Sequence, residues 1–165
     1  MMEFVTEIRN KLIQSVEDMN NEQINQKRTN DDWNIVQVLH HLYLTEYAIQ
    51  AGFKHVIQKN KQNPTTIKSF EIVTNRTIKR EAPDNIQPSD QYMSKQDILS
   101  LLSESRDQLI GILNNIEDHS LLSHLSLSHP FLGRLNLDQY LEFIGIHEQR
   151  HIKQIEDLKS SMIVS

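Results

Sequence analysis

Apolar residues recur at three- and four-residue intervals through four separate stretches of this chain, and that period is the strongest constraint on its fold. Residues 3–20 place Phe4, Ile8, Leu12, Val16 and Met19 on one helical face. A second stripe holds Ile35, Val38, Leu39, Leu42, Ile49, Phe53 and Val56. It follows Asn34, which with Gln37 makes a capping box, and is predicted to run to about residue 61, where Asn63-Pro64 stops it. Ser94 with Asp97 opens a third helix, carried by Ile98, Leu101, Leu102, Leu109, Ile112 and Leu113 to about residue 116. Asn136 with Gln139 opens a fourth, with Leu137, Leu141, Ile144, Ile155 and Leu158 on its apolar face, reaching about residue 159. Only four glycines and four prolines punctuate the 165 residues, and three of the prolines fall in 63–93. The polar run after residue 20, the stretch 63–93 and the stretch 117–134 read as irregular, with a short helical turn near 69–75. The expectation is an all-α, single-domain four-helix bundle over 1–165, with long connections between helices two and three and between three and four. Connections that long in a compact chain are often functional.

Composition narrows what such a bundle does. A net charge of −5 argues against nucleic-acid binding, which requires a basic face. No apolar run approaches a membrane span, and charges at Glu3, Glu7 and Arg9 break the stretch a signal peptide needs, so a cytoplasmic location is expected. With no cysteine there is no thiolate nucleophile and no Cys-ligated metal. The chemistry left is that of carboxylates, hydroxyls and eight histidines.

Two of those histidines stand where leucine would be the simple choice. His147 and His151 lie in the middle of the fourth helix's apolar stripe, four residues apart and so about 6 Å apart along the axis, a spacing from which two imidazoles can converge on one metal ion. A third ligand is required. On the second helix His41 lies at the edge of the apolar stripe and can turn inward, whereas His40 points away and reads as a rim residue. Glu46 also winds into that stripe, where a carboxylate is costly unless paired or hydrogen-bonded, so it either supports the site or is satisfied by a nearby Arg or Tyr. His119, His124 and His129 recur at five-residue steps with no helical or strand period and read as loop histidines. Of these His129 leads through Pro130-Phe131-Leu132-Gly133 directly into the fourth helix. His55 reads as exposed.

The string His147-Glu148-Gln149-Arg150-His151 matches the H-E-x-x-H pattern of zinc metalloproteases, but its context does not. Only fourteen residues follow His151, Gln154 stands where the extended motif has glycine, and Asp157 points away from the histidine face.

These residues resemble a known family. Asp32-Trp33-Asn34-Ile35-Val36-Gln37, then His40-His41-Leu42 and Glu46, are similar to the second-helix signature of the DinB/YfiT-like superfamily. His129-Pro130-Phe131-Leu132-Gly133 through His147-Glu148-Gln149-Arg150-His151-Ile152-Lys153-Gln154 resembles its C-terminal signature. Helices one and three match only in character. The resemblance implies a four-helix bundle with a divalent metal, zinc or nickel, on His41, His147 and His151, open to water or substrate, in a homodimer. It further implies a metal-dependent small-molecule enzyme: a thiol S-transferase of the bacillithiol transferase kind, taking a low-molecular-weight thiol, or a hydrolase. Glu46 and Glu148 are the candidate bases or supporting carboxylates. The rival is a non-catalytic metal-binding bundle with a structural or sensing role, which requires a fourth protein ligand such as His129.

Overall fold

The computed structural model describes residues 1–163. Four long helices, α1 (Met2–Val16), α3 (Ile35–Lys59), α5 (Lys95–Asn114) and α7 (Leu137–Ile163), form the bundle, as the four stripes require. Between them come short helices α2 (Asn21–Asn25), α4 (Glu71–Thr74) and α6 (Leu121–His124), a 3-10 turn Asp84–Ile86, and two strands, β1 (Ser126–His129) and β2 (Gly133–Asn136). α1 packs along α7, α3 along α5, and α3 adjoins α7. No helix among the described residues is long and apolar enough to cross a membrane.

The helix starts follow side-chain chemistry. Asn34 Oδ1 accepts from the Gln37 amide at 2.8 Å and Gln37 Oε1 accepts from the Asn34 amide at 2.9 Å, satisfying two backbone donors reciprocally at the head of α3. Asn20 and Gln23 build the same box at α2, inside the polar run that reads as irregular from sequence. α3 ends at Asn60, whose φ of 48° breaks the helix before Asn63-Pro64. α1 stops at Val16, short of the predicted residue 20, although Met19 is still buried.

The stretch after α5 departs most from expectation. Ser126–His129 pairs antiparallel with Gly133–Asn136, with His129 opposite Gly133 across a three-residue loop. Gly133 has φ of 76°, open to glycine without the Cβ penalty. Strands of four residues are too short for their alternation to register as a period. The five-residue histidine spacing therefore hid a strand that ends at His129.

A Cβ added to Gly145 on α7 would run into Cε1 of Phe4 on α1. Gly145→Ala is expected to lower the unfolding free energy by about 1–3 kcal/mol, measured by denaturant titration, because the Phe4 ring must be displaced. An unchanged midpoint would mean that α1 shifts freely along α7.

The core forms two apolar clusters, one including Val5, Ile49, Leu109 and Ile144, the other Leu12, Leu42, Leu102 and Ile155. On each long helix one charged residue falls between the two: Arg9, Glu46, Arg106 and Glu148, at 5 %, 1 %, 6 % and 2 % exposure. Arg9 Nη2 donates to Glu46 Oε2 at 2.7 Å, and Arg106 Nε to Glu46 Oε1 at 2.7 Å. Glu148 Oε1 accepts from Nε and Nη2 of Arg9 and from Arg106 Nη2 at 3.0 Å. The spare guanidinium donors bind backbone carbonyls, Arg9 Nη1 to Leu102 and Arg106 Nη1 to Val5. Burial opposes the charge on Arg9, but Glu148 and Glu46 outweigh it and hold its pKa above the ordinary value. All four helices thus meet in one ionic layer.

Candidate metal centre

One turn of α3 and two of α7 bring His41, His147 and His151 together beside that layer, with His41 and His151 buried and His147 half-buried. His41 Nε2 stands 3.3 Å from His147 Nε2, and His151 Nε2 stands 3.1 Å from the same atom. The other ring nitrogens fix what these atoms carry. His41 Nδ1 lies 2.9 Å from the Ile86 carbonyl, which can only accept, so Nδ1 bears the proton and Nε2 a lone pair. His151 Nδ1 lies 2.7 Å from Gln154 Oε1, which assigns it the same tautomer. Two lone pairs therefore face His147 Nε2, and one ring proton there can serve only one of them.

The surroundings keep the rings uncharged. Burial pushes the His151 pKa down to about 3, helped by His41, Arg150 and Arg76. His147 is held well below the usual imidazole range by burial, by the other two rings and by Arg150. His41 is lowered by burial and by neighbouring His40, against the Ile86 hydrogen bond. Ring packing fixes their orientation: Trp33 lies against His41 with centroids 5.0 Å apart, and Phe143 stacks on His147 at 5.1 Å.

The connection between α3 and α5 passes over this cluster. Besides the Ile86 contact, Arg150 Nη1 donates to the carbonyls of Val73 (2.8 Å) and Asn75 (3.1 Å), and its Nη2 to that of Ile78 (2.9 Å). His40, on the rim, accepts at Nδ1 from the Ser89 amide at 3.1 Å. Arg150 thus straps the connection to α7 one residue from His151. Its place inside the H-E-x-x-H string is the only sequence signal it gave.

Each residue singled out from sequence has a definite place. The three expected histidines converge, and no carboxylate or further histidine among the described residues joins them. Glu46 and Glu148 meet each other through Arg9 and Arg106, and no hydrogen bond among the described residues links either carboxylate to the cluster. Asp157 is exposed and paired with Arg76 at 2.8 Å, off the histidine face. His55 and His119 are exposed, and His124 is half-buried with an unpartnered Nδ1.

His129 is half-buried and stands outside the cluster. Its Nδ1 accepts from the amides of Phe131 (3.1 Å) and Leu132 (3.2 Å), and its ring meets Phe143 edge to face at 4.6 Å. Burial pushes its pKa down to about 4. The unfolded chain, with a histidine pKa of about 6.5, then binds the proton more readily than the fold does, so stability falls as pH drops from about 6.5 towards 4. His129→Asn keeps an acceptor at Nδ1 and removes this titration. Its acid loss of stability, followed by denaturant melts across that window, is expected to be shallower than the parent's. A parallel pair of curves would contradict the assignment.

The sequence profile of the DinB superfamily matches residues 5–155. The chain belongs to the DinB superfamily. Among curated proteins it is 27 % identical over 144 residues to the uncharacterized protein YuaE of Bacillus subtilis (strain 168), covering 87 % of this chain and 88 % of YuaE. Two solved structures share the fold. TT2238, described as a four-helix bundle protein, superposes with a TM-score of 0.65 at 15 % identity, covering 94 % of this chain and 95 % of that one. YfiT from Bacillus subtilis, described as a probable metal-dependent hydrolase with an unusual four-helix bundle topology, gives 0.62 at 22 % identity, over 97 % and 84 %. In this DinB-superfamily chain the histidine cluster thus lies in a bundle shared over nearly its whole length.

Proposed function

We propose that His41, His147 and His151 hold one divalent metal ion, zinc or nickel, through their Nε2 atoms, and that the chain is a metal-dependent enzyme acting on a small molecule. The observation that carries this reading is the facing of the three Nε2 atoms with at most one proton among them. Nitrogens each about 2.0–2.1 Å from a tetrahedral ion stand about 3.3–3.4 Å apart, near the 3.3 and 3.1 Å here. The donor set fits: neutral imidazoles suit both metals, and Ile86 and Gln154 orient two of them as outer partners orient metal-bound histidines.

A divalent ion so held would act as a Lewis acid with an open position, able to lower the pKa of a bound water or thiol. The missing fourth protein ligand among the described residues supports an enzyme over a closed structural site. The reaction is then hydrolysis or S-transfer from a low-molecular-weight thiol, and a chain without cysteine takes its nucleophile from outside. Both Glu46 oxygens and Glu148 Oε1 are held by guanidinium donors, so Glu46 and Glu148 serve here as positioning residues that keep α3 and α7 in register. The connection strapped by Arg150 borders the substrate. The reading places the enzyme in the cytoplasm as a homodimer.

The test of the open position is ligand exchange on cobalt-loaded protein. Azide or a small thiol is expected to change the visible ligand-field bands saturably in the parent, and not in His151→Ala. Bands indifferent to every added ligand would favour a closed, non-catalytic site.

A further inference from the structure

A second charged feature lies at the far end of α3. His41 and His55 are separated by fourteen residues of one helix, so roughly 21 Å lies between the histidine cluster and this place. A cleft of about 440 Å³ opens there, its lining including His55, Lys59, Lys61, Asn63, Ser126 and Arg134. Volumes of roughly 300–1,000 Å³ are those of small-molecule sites. The chain has 22 acidic residues against 17 lysines and arginines, yet no carboxylate among the described residues lines this cleft.

The charge there is uncompensated. Among the described residues Lys59, Lys61 and Arg134 form no ion pair. Arg134 is half-buried, and its Nη1 donates only to neutral groups, the Ser126 carbonyl at 3.1 Å and Ser126 Oγ at 3.3 Å. Its Nη2 and Nε make no hydrogen bond among the described residues. The carbonyl end of α3 offers about half a negative charge, against three full positive ones. The floor is also fixed: Ser126 Oγ donates to the Asn63 carbonyl, and the Asn63 amide donates to the His124 carbonyl at 2.8 Å.

We propose that this cleft binds a phosphate-bearing small molecule, separately from the histidine cluster. A guanidinium fork with free donors matches two phosphate oxygens, and the lysines add the point charges that a dianion requires.

The test is calorimetric titration of inorganic pyrophosphate into metal-free protein at low and at physiological ionic strength. Saturable binding is expected, weakened roughly tenfold or more by Lys59→Gln/Lys61→Gln and by Arg134→Gln, and within about twofold of the parent in His41→Ala. The lysine pair is exposed and makes no contact that the fold depends on, so its variant reads binding alone. Unchanged affinity in the lysine variant, loss in His41→Ala, or no saturable binding overturns the proposal. Sedimentation with phosphatidylcholine vesicles, with and without phosphatidic acid, identifies the source. Capture by the acidic vesicles that needs Lys59 and Lys61 means a lipid headgroup, and binding of pyrophosphate without capture means a soluble phosphate ester.

Discussion

Glu46→Ala is expected to lower the unfolding free energy by about 3–5 kcal/mol, the usual cost of removing one partner from a buried ion pair. The reason is what stays behind. Arg9 and Arg106 are 5 % and 6 % exposed and would share the single carboxylate of Glu148, whose Oε1 already accepts from both. Both Glu46 oxygens have an arginine partner at 2.7 Å, and Glu148 Oε2, buried and without a partner, is one oxygen for the two donors that would be orphaned. For a chain of this size the loss corresponds to a melting temperature roughly 6–20 °C lower. Glu46→Gln keeps the shape and one acceptor and is expected to fall between the two. A melting temperature unchanged in Glu46→Ala would mean that the layer is hydrated in solution.

The second large effect is that of metal on stability. An ion that binds the fold and not the unfolded chain stabilises by about 2.7 kcal/mol at a hundred times its dissociation constant and about 4.1 at a thousand times. Zinc added to chelator-stripped protein is accordingly expected to raise the melting temperature by roughly 5–15 °C. The shift should vanish in His151→Ala, which removes the nitrogen 3.1 Å from His147. Gln154→Ala should reduce it, since Gln154 fixes the His151 tautomer without touching the ion. An equal shift in parent and His151→Ala would mean that zinc binds elsewhere.

Much of this was legible in the sequence because it depends on local period and local chemistry. The Asn34–Gln37 box and the four stripes place the long helices, and winding those stripes picks His41 over His40 and sets His147 and His151 inward. The same winding carries Arg9 between Val5 and Leu12, and Arg106 between Leu102 and Leu109, on the core faces of α1 and α5. Two buried arginines against two stripe-facing glutamates was a readable signal, but an arginine at a stripe position is easily taken for a solvated one, since its long stem can reach water. The contacts of the 63–93 connection were not readable. Ile86 and the carbonyls of Val73, Asn75 and Ile78 act through the backbone, and a backbone carbonyl has no sequence signature. The hairpin at 126–136 was hidden by its brevity.

The most direct test of the central claim is elemental analysis of protein purified without a metal-binding tag, alongside His41→Ala and His151→Ala. Close to one divalent ion per chain in the parent, lost in both variants, is the predicted result. Metal that survives both changes, or a parent that takes up none when loaded, would contradict the three-histidine site.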